Sequence, residues 1–189
     1  MQKLYFSKNL LTTIPKNLPA SLVELRIHEN RIKKVAAGTF SGLGNMHCID
    51  SLHELHLDHN QIQAVELEDL SRYRNLNRLG LGFNHIRNIE NGSLSFLPML
   101  RELHLDNNRL KRVPQGLPSM KYLQVVYLHA NNISQVGVDD FCPRGFGMKR
   151  TYYNGISLFD NPVNYWEVQP ATFRCVNDRF AIQFGNYKK

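Results

Sequence analysis

A single pattern, Leu-x-x-Leu-x-Leu-x-x-Asn-x-Leu, returns seven times along the 189 residues and constrains the fold more than any other feature. Its copies run Met1/Leu4/Phe6/Asn9/Leu11, Leu22/Leu25/Ile27/Asn30/Ile32, Leu52/Leu55/Leu57/Asn60/Ile62, Leu76/Leu79/Leu81/Asn84/Ile86, Leu100/Leu103/Leu105/Asn108/Leu110, Leu123/Val126/Leu128/Asn131/Ile133 and Tyr153/Ile156/Leu158/Asn161/Val163. The fourth and sixth positions alternate with polar neighbours, which is the period of a strand with one face turned inward. The Asn that follows is placed to hydrogen-bond backbone groups that a sharp bend would orphan.

Such self-similarity is the signature of a leucine-rich repeat. One copy cannot bury its apolar face alone, so the coils must stack and their strands must pair in parallel into one curved sheet. The expected class is an α/β leucine-rich repeat solenoid with the parallel sheet on the concave face. Ile14-Pro15, Leu18-Pro19, Val113-Pro114 and Leu117-Pro118 direct the convex side into irregular, 3-10 and polyproline segments.

The steps between copies are 21, 30, 24, 24, 23 and 30 residues. Inside the first long step, Met46-His47-Cys48-Ile49-Asp50 opens a copy in register, and Leu52 opens another six residues later. No coil closes in six residues, so the chain either bulges or lacks a segment between Ile49 and Leu52, and we read a loss. The second long step holds no hidden opening and reads as an extended repeat. Nothing precedes the first coil to cover its edge, which reads as a truncated N-terminus. These features divide the chain into a solenoid over 1–140 and an extended repeat with a terminal cap over 141–189.

With 42% apolar residues there is material for one continuous core, and no apolar run approaches bilayer length. The start shows no secretion signal. Cys142 and Cys175 flank the extended repeat and the final coil; they form either a disulfide, worth roughly 3 to 4 kcal/mol in the chain-entropy model, or two buried thiols. Cys48 is left over. Asn91-Gly92-Ser93 and Asn132-Ile133-Ser134 are glycosylation sequons at Asn91 and Asn132 and favour a secretory history.

The outward strand positions fall into columns. Glu24, Glu54, Arg78 and Glu102 share one; Arg26, His56, His104 and Tyr127 the next; His28, Asp58, Asp106 and His129 a third. This polar, aromatic-dotted face suits a protein or triple-helix partner better than a small buried ligand. His53, His56, Asp58 and His59 cluster in sequence, but the i, i+3 pair on a strand diverges to opposite faces, so no metal and no cofactor is expected. The net charge of +7 points to anionic partners. Basic groups follow the strands at Arg31/Lys33/Lys34 and Arg109/Lys111/Arg112, with others at Lys149/Arg150 and Lys188/Lys189. Sulfated glycosaminoglycan fits them; nucleic acid does not, for want of interleaved aromatics. No nucleophile elbow, phosphate loop or carboxylate pair stands out, so an enzyme is not expected. An ectodomain-type recognition receptor of innate immunity is the alternative reading.

The stretches Leu100-Arg-Glu-Leu-His-Leu-Asp-Asn-Asn108, Asp140-Phe-Cys-Pro143, Asn154-Gly-Ile-Ser-Leu-Phe159, Gln169-Pro-Ala-Thr-Phe-Arg-Cys175 and Ala181-Ile-Gln-Phe-Gly-Asn-Tyr-Lys-Lys189 resemble the class I small leucine-rich proteoglycans. The resemblance implies a secreted extracellular-matrix protein that binds collagen fibrils, growth factors of the transforming growth factor-β group and innate-immune receptors, and that can form homodimers through the concave face. It implies that Cys142 and Cys175 are the C-terminal cap disulfide, that the repeat before them is a projecting ear, and that Asn91 and Asn132 carry glycans. The family's N-terminal four-cysteine cap and Ser-Gly attachment sites have no counterpart here, and about two repeats are missing at the join near residue 50.

Overall fold

Each copy of the pattern contributes a three-residue strand in the structure, a computed structural model that describes residues 1–16, 18–35, 50–145, 153–176 and 178–185. The strands are β1 (Lys3–Tyr5), β2 (Glu24–Arg26), β3 (Glu54–His56), β5 (Arg78–Gly80), β7 (Glu102–His104), β8 (Val125–Tyr127) and β9 (Gly155–Ser157). An eighth, β10 (Ile182–Gln183), was not expected from the pattern. They form one parallel sheet in the order β1-β2-β3-β5-β7-β8-β9-β10. Leu4, Leu25, Leu55, Leu79, Leu103, Val126, Ile156 and Ile182 lie in register across it. Parallel pairing requires a full crossover between neighbours, and each coil of the solenoid is that crossover.

The core is a stack of layers. Leu25/Ile27, Leu55/Leu57, Leu79/Leu81, Leu103/Leu105 and Val126/Leu128 are fully buried beneath the sheet, each contributing roughly 2 kcal/mol by leaving water. Two short strands, β4 (Ala64–Val65) and β6 (Asn88–Ile89), pair in parallel on the flank. The convex side carries 3-10 turns at Ser93–Phe96, Leu117–Ser119, Tyr165–Glu167 and Pro170–Phe173, the first two entered through left-handed Gly92 and Gly116.

The repeat asparagines form a ladder. Asn108 Nδ2 donates to Leu105 O and Asp106 O in its own coil and to Leu81 O in the preceding one, while its Oδ1 accepts from Ile86 N–H. Asn60, Asn84, Asn131 and Asn161 repeat this set coil by coil, and Asn30 begins it. The residue before each Asn has a positive φ: Lys8, Glu29, His59, Phe83, Asn107, Ala130 and Asp160. None is β-branched, as sterics demand there. The turn aims the N–H of Glu29, His59, Phe83, Asn107 and Ala130 at the next coil, where each is bonded to a carbonyl.

β2 and β3 are hydrogen-bonded neighbours although 30 residues separate their register partners. They pair directly in the sheet. The opening at Met46, with Cys48 and Ile49, lies outside the described residues, whereas Asp50 to Leu52, on the far side of the inferred loss, lie within them. Beyond residue 140 the sheet continues through β9 and β10, so it spans both segments expected from the sequence. Phe141, Tyr153, Phe173 and Phe184 pack ring to ring under these strands, and Cys142 and Cys175 are joined in a disulfide among them.

Candidate concave binding face

Strand register, not sequence proximity, assembles the face. Pairing places Glu24, Glu54, Arg78, Glu102, Val125 and Gly155 in one row and Arg26, His56, Gly80, His104, Tyr127 and Ser157 in the next. A third row follows the strands through His28, Asp58, Gly82, Asp106, His129 and Phe159.

Ten of the twelve positions expected to meet a partner are exposed or half-buried; Glu24 and Asp106 are buried. The Glu24 carboxylate receives Lys3 Nζ at 2.9 Å, the Arg26 guanidinium and the Tyr5 hydroxyl, and Arg26 also lies over the Tyr5 ring. The hydrogen bond from Lys3, together with Arg26, holds the Glu24 carboxyl below its ordinary pKa against the cost of burial. Glu24 therefore acts as an internal anchor that positions Lys3 and Arg26, not as a contact residue.

Acidic side chains recur beside basic or imidazole groups along the strands. His56 Nε2 lies 3.2 Å from Glu54, Arg78 3.3 Å from Glu102, and His129 Nε2 3.7 Å from Asp106, while His129 Nδ1 bonds Ser157 Oγ at 2.7 Å. His28 bonds Ser7. Stacked or edge-on rings link His104, Tyr127, His129 and Phe159, and His59 stacks on the exposed Phe83.

The middle of the face has a glycine notch. A Cβ on Gly80 would stand 2.2 Å from Asp58 Oδ2, and one on Gly82 would stand 3.0 Å from Asp106 Oδ1. Asp58 leans over the missing side chains and accepts the Gly82 N–H at 2.9 Å. Beside the notch, His104 Nε2 and Arg78 Nε are closed off from solvent, and the nearest acceptor of His104 Nε2 is Glu102 Oε2 at 3.5 Å, too far for a good hydrogen bond. Burial, then the nearby Arg78 charge, pushes the His104 pKa down, so its neutral form is favoured.

Glu24, Glu54 and His56 bring three ligand atoms within 4.8 Å of one another, a trio that arises across strands and that linear spacing does not reveal. Lys3 and Arg26 already neutralise Glu24 there, so a cation would have to displace them. Asn91 and Asn132 are both exposed; Ser93 of the first sequon is buried and donates to Glu66 O. Among the described residues no helix is long and apolar enough to cross a membrane.

A leucine-rich repeat family profile matches residues 50–110. Biglycan from dog is 64% identical, the match covering 98% of this chain and 61% of the relative; human biglycan is 64% identical over 96% and 60%. The chain is biglycan-like, similar along nearly its whole length to these small leucine-rich proteoglycans. It spans about three fifths of the length of these relatives. The dog alignment runs over 225 positions, whereas 98% of 189 residues is about 185, so biglycan carries some 40 aligned positions that this chain lacks. The leucine-rich repeat domain of APL1B superposes over 100% of this biglycan-like chain with a TM-score of 0.74 at 18% identity, a likeness of fold alone.

Proposed function

We propose that this chain is a non-enzymatic, secreted extracellular-matrix protein that binds collagen and growth factors of the transforming growth factor-β group through the concave sheet, with sulfated glycosaminoglycan as a polyanionic partner. The observation that carries this reading is the in-register row of half-exposed charges, Glu54, Arg78 and Glu102, beside the aromatic run His104, Tyr127, His129 and Phe159. Side chains about 4.8 Å apart within each row make a shallow, extended surface matched to a rod-like or folded protein. The identity to biglycan, far above that to the structural neighbours, favours a matrix protein over an innate-immune receptor fragment.

The test is a Glu54→Gln/Arg78→Gln/Glu102→Gln variant, measured by surface plasmon resonance on immobilised fibrillar collagen and on the growth factor. These side chains are about 40% exposed and anchor no buried backbone. Affinity falls about tenfold or more with an unchanged melting temperature. Unchanged affinity for both partners would remove the concave-face assignment.

A further inference from the structure

We propose that the flank of the solenoid just beyond the strands is a binding track for a sulfated polysaccharide, separate from the concave face. In each coil the first, third and fourth positions after the ladder Asn point outward. Arg31, Lys33, Arg87, Arg109, Lys111 and Arg112 occupy them, and all six are exposed.

Backbone pairing fixes their alignment. The N–H groups of Arg31, Gln61, His85 and Arg109 donate in turn to Leu11, Ile32, Ile62 and Ile86 of the preceding coil. Ala64 pairs with Asn88 and Arg112 with Gln135 further along. Arg31 and Arg109 therefore share one column, with Gln61 and His85 between them. Lys33, Arg87 and Lys111 share the next, with Gln63 after Lys33. Successive coils advance about 4.8 Å, which spreads the cations along the solenoid axis and suits a linear polyanion over a single phosphate group.

The same positions contain no Asp or Glu from Arg31 to Arg112. None of the six cations takes part in an ion pair among the described residues, although Asp140 lies within electrostatic reach of Arg112; the neighbouring Lys34 is paired with Glu66 at 2.8 Å. Acidic residues border the track at Glu66 and Asp140 without entering it. The concave face is the opposite case, with every Arg or Lys in its rows matched to a carboxylate. A polyanion crossing the concave rows meets Glu54, Asp58 and Glu102, and one on the flank meets none. Gln61, Gln63, His85 and Asn88 add hydrogen-bonding groups for sugar hydroxyls and sulfates. The track positions from Arg31 to Arg112 hold no Phe, Tyr or Trp on which a nucleobase could stack and no large apolar side chain to enter a bilayer. Asn132 follows Arg109 in the first column, so a glycan there would bound the track on that side.

The identity of the polyanion as a matrix polysaccharide rests on the reading under Proposed function; the affinity of the flank for sulfate does not. The experiment is binding of the full chain, secreted and oxidised, to immobilised heparin at near-physiological salt, for three proteins. These are the wild type, an Arg87→Gln/Arg109→Gln/Lys111→Gln/Arg112→Gln variant and the concave triple variant above. The wild type binds and is released by added salt. The flank variant binds roughly tenfold or more weakly with unaltered collagen affinity and melting temperature, and the concave variant keeps heparin and loses collagen. Undiminished heparin affinity in the flank variant, loss in the concave variant, or no wild-type binding overturns the proposal. Equal competition by unsulfated hyaluronan, single-stranded DNA or anionic vesicles overturns it as well, because the site would then be a general anion surface. A result in which collagen binding fails but the flank behaves as expected would sink only the concave reading.

Discussion

The two ends of the solenoid use the same repeat and are finished differently. At β1, Asn9 makes only two hydrogen bonds, both to carbonyls of its own coil. Met1, Tyr5 and Leu10 are more than half exposed. At β9 and β10, the disulfide, the four packed rings and an Arg174 clamp close the stack. Arg174 donates to Val138 O, Ala171 O, Cys142 O and Pro143 O and pairs with Asp139. The contrast shows that a ladder residue is worth what its neighbouring coil supplies. Asn108, with coils on both sides, bonds four backbone groups, whereas Asn9 bonds two exposed ones. Stability in such a stack is a property of interfaces, and an end needs a substitute for the missing interface.

The largest expected effect tests that directly. Asn108→Ala leaves the buried Ile86 N–H without its acceptor and removes three further bonds to carbonyls, a loss on the order of 4 kcal/mol. Asn9→Ala, in the same motif position, costs under about 0.5 kcal/mol, since water replaces its bonds. Urea denaturation of both variants checks the difference, and equal losses would mean that the ladder acts within coils and not between them.

The C-terminal closure comes next. Cys142→Ala/Cys175→Ala lowers stability by about 3 kcal/mol, the low end of the loop-closure figure for a separation of 33 residues, because the unfolded chain retains some compactness. Limited proteolysis should then cut first near β9 and β10. Early cleavage near β1 instead would show that the first coil is already the weaker one.

Much of this architecture was legible in the sequence, because a period near 24 residues forces stacking and a strand period of two then fixes which residues share a row. Leu55, Leu79 and Leu103 were placed in this way, and so were the concave rows. What was hidden depends on neighbours across coils. The left-handed residues before each Asn share no side-chain type, so Phe83 and Ala130 gave no signal. β10 lacks the Leu and Asn of the consensus and keeps only an apolar alternation, Ile182 and Phe184, one coil beyond Ile156 and Leu158. Glu24 looked like a surface acid because its own strand shows only Arg26, two residues on, and not Lys3 and Tyr5 of the preceding coil, which close over it. The notch was equally invisible, since Gly80 reads as a gap until Asp58, one coil earlier, is seen leaning over it.

The smallest effect separates the middle of the solenoid from both ends, because the histidine that burial perturbs lies beside the glycine notch. His104 faces Glu102 and Asp106 of its own coil, Arg78 of the coil before and Asp58 of the one before that, and its folded-state pKa lies below the ordinary histidine value because burial, and then Arg78, disfavour the charged ring. As pH falls through the unfolded value near 6.5, the unfolded chain takes up a proton that the folded chain resists, so stability declines; the decline levels off once pH passes below the folded pKa. Glu24 has the acid-loss sign at a lower window: its depressed pKa stabilises the fold above the ordinary carboxylate range and that contribution disappears as pH drops through the folded value. His104→Gln should therefore flatten the fall in melting temperature just below pH 6.5 while leaving the steeper acid limb intact, and Glu24→Gln should do the reverse. Thermal melts at a series of pH values resolve the two windows. A wild-type curve that His104→Gln leaves unchanged through the upper window would show that the ring is solvated, and that the notch beside Gly80 and Gly82 is open to water and available to a partner's side chain.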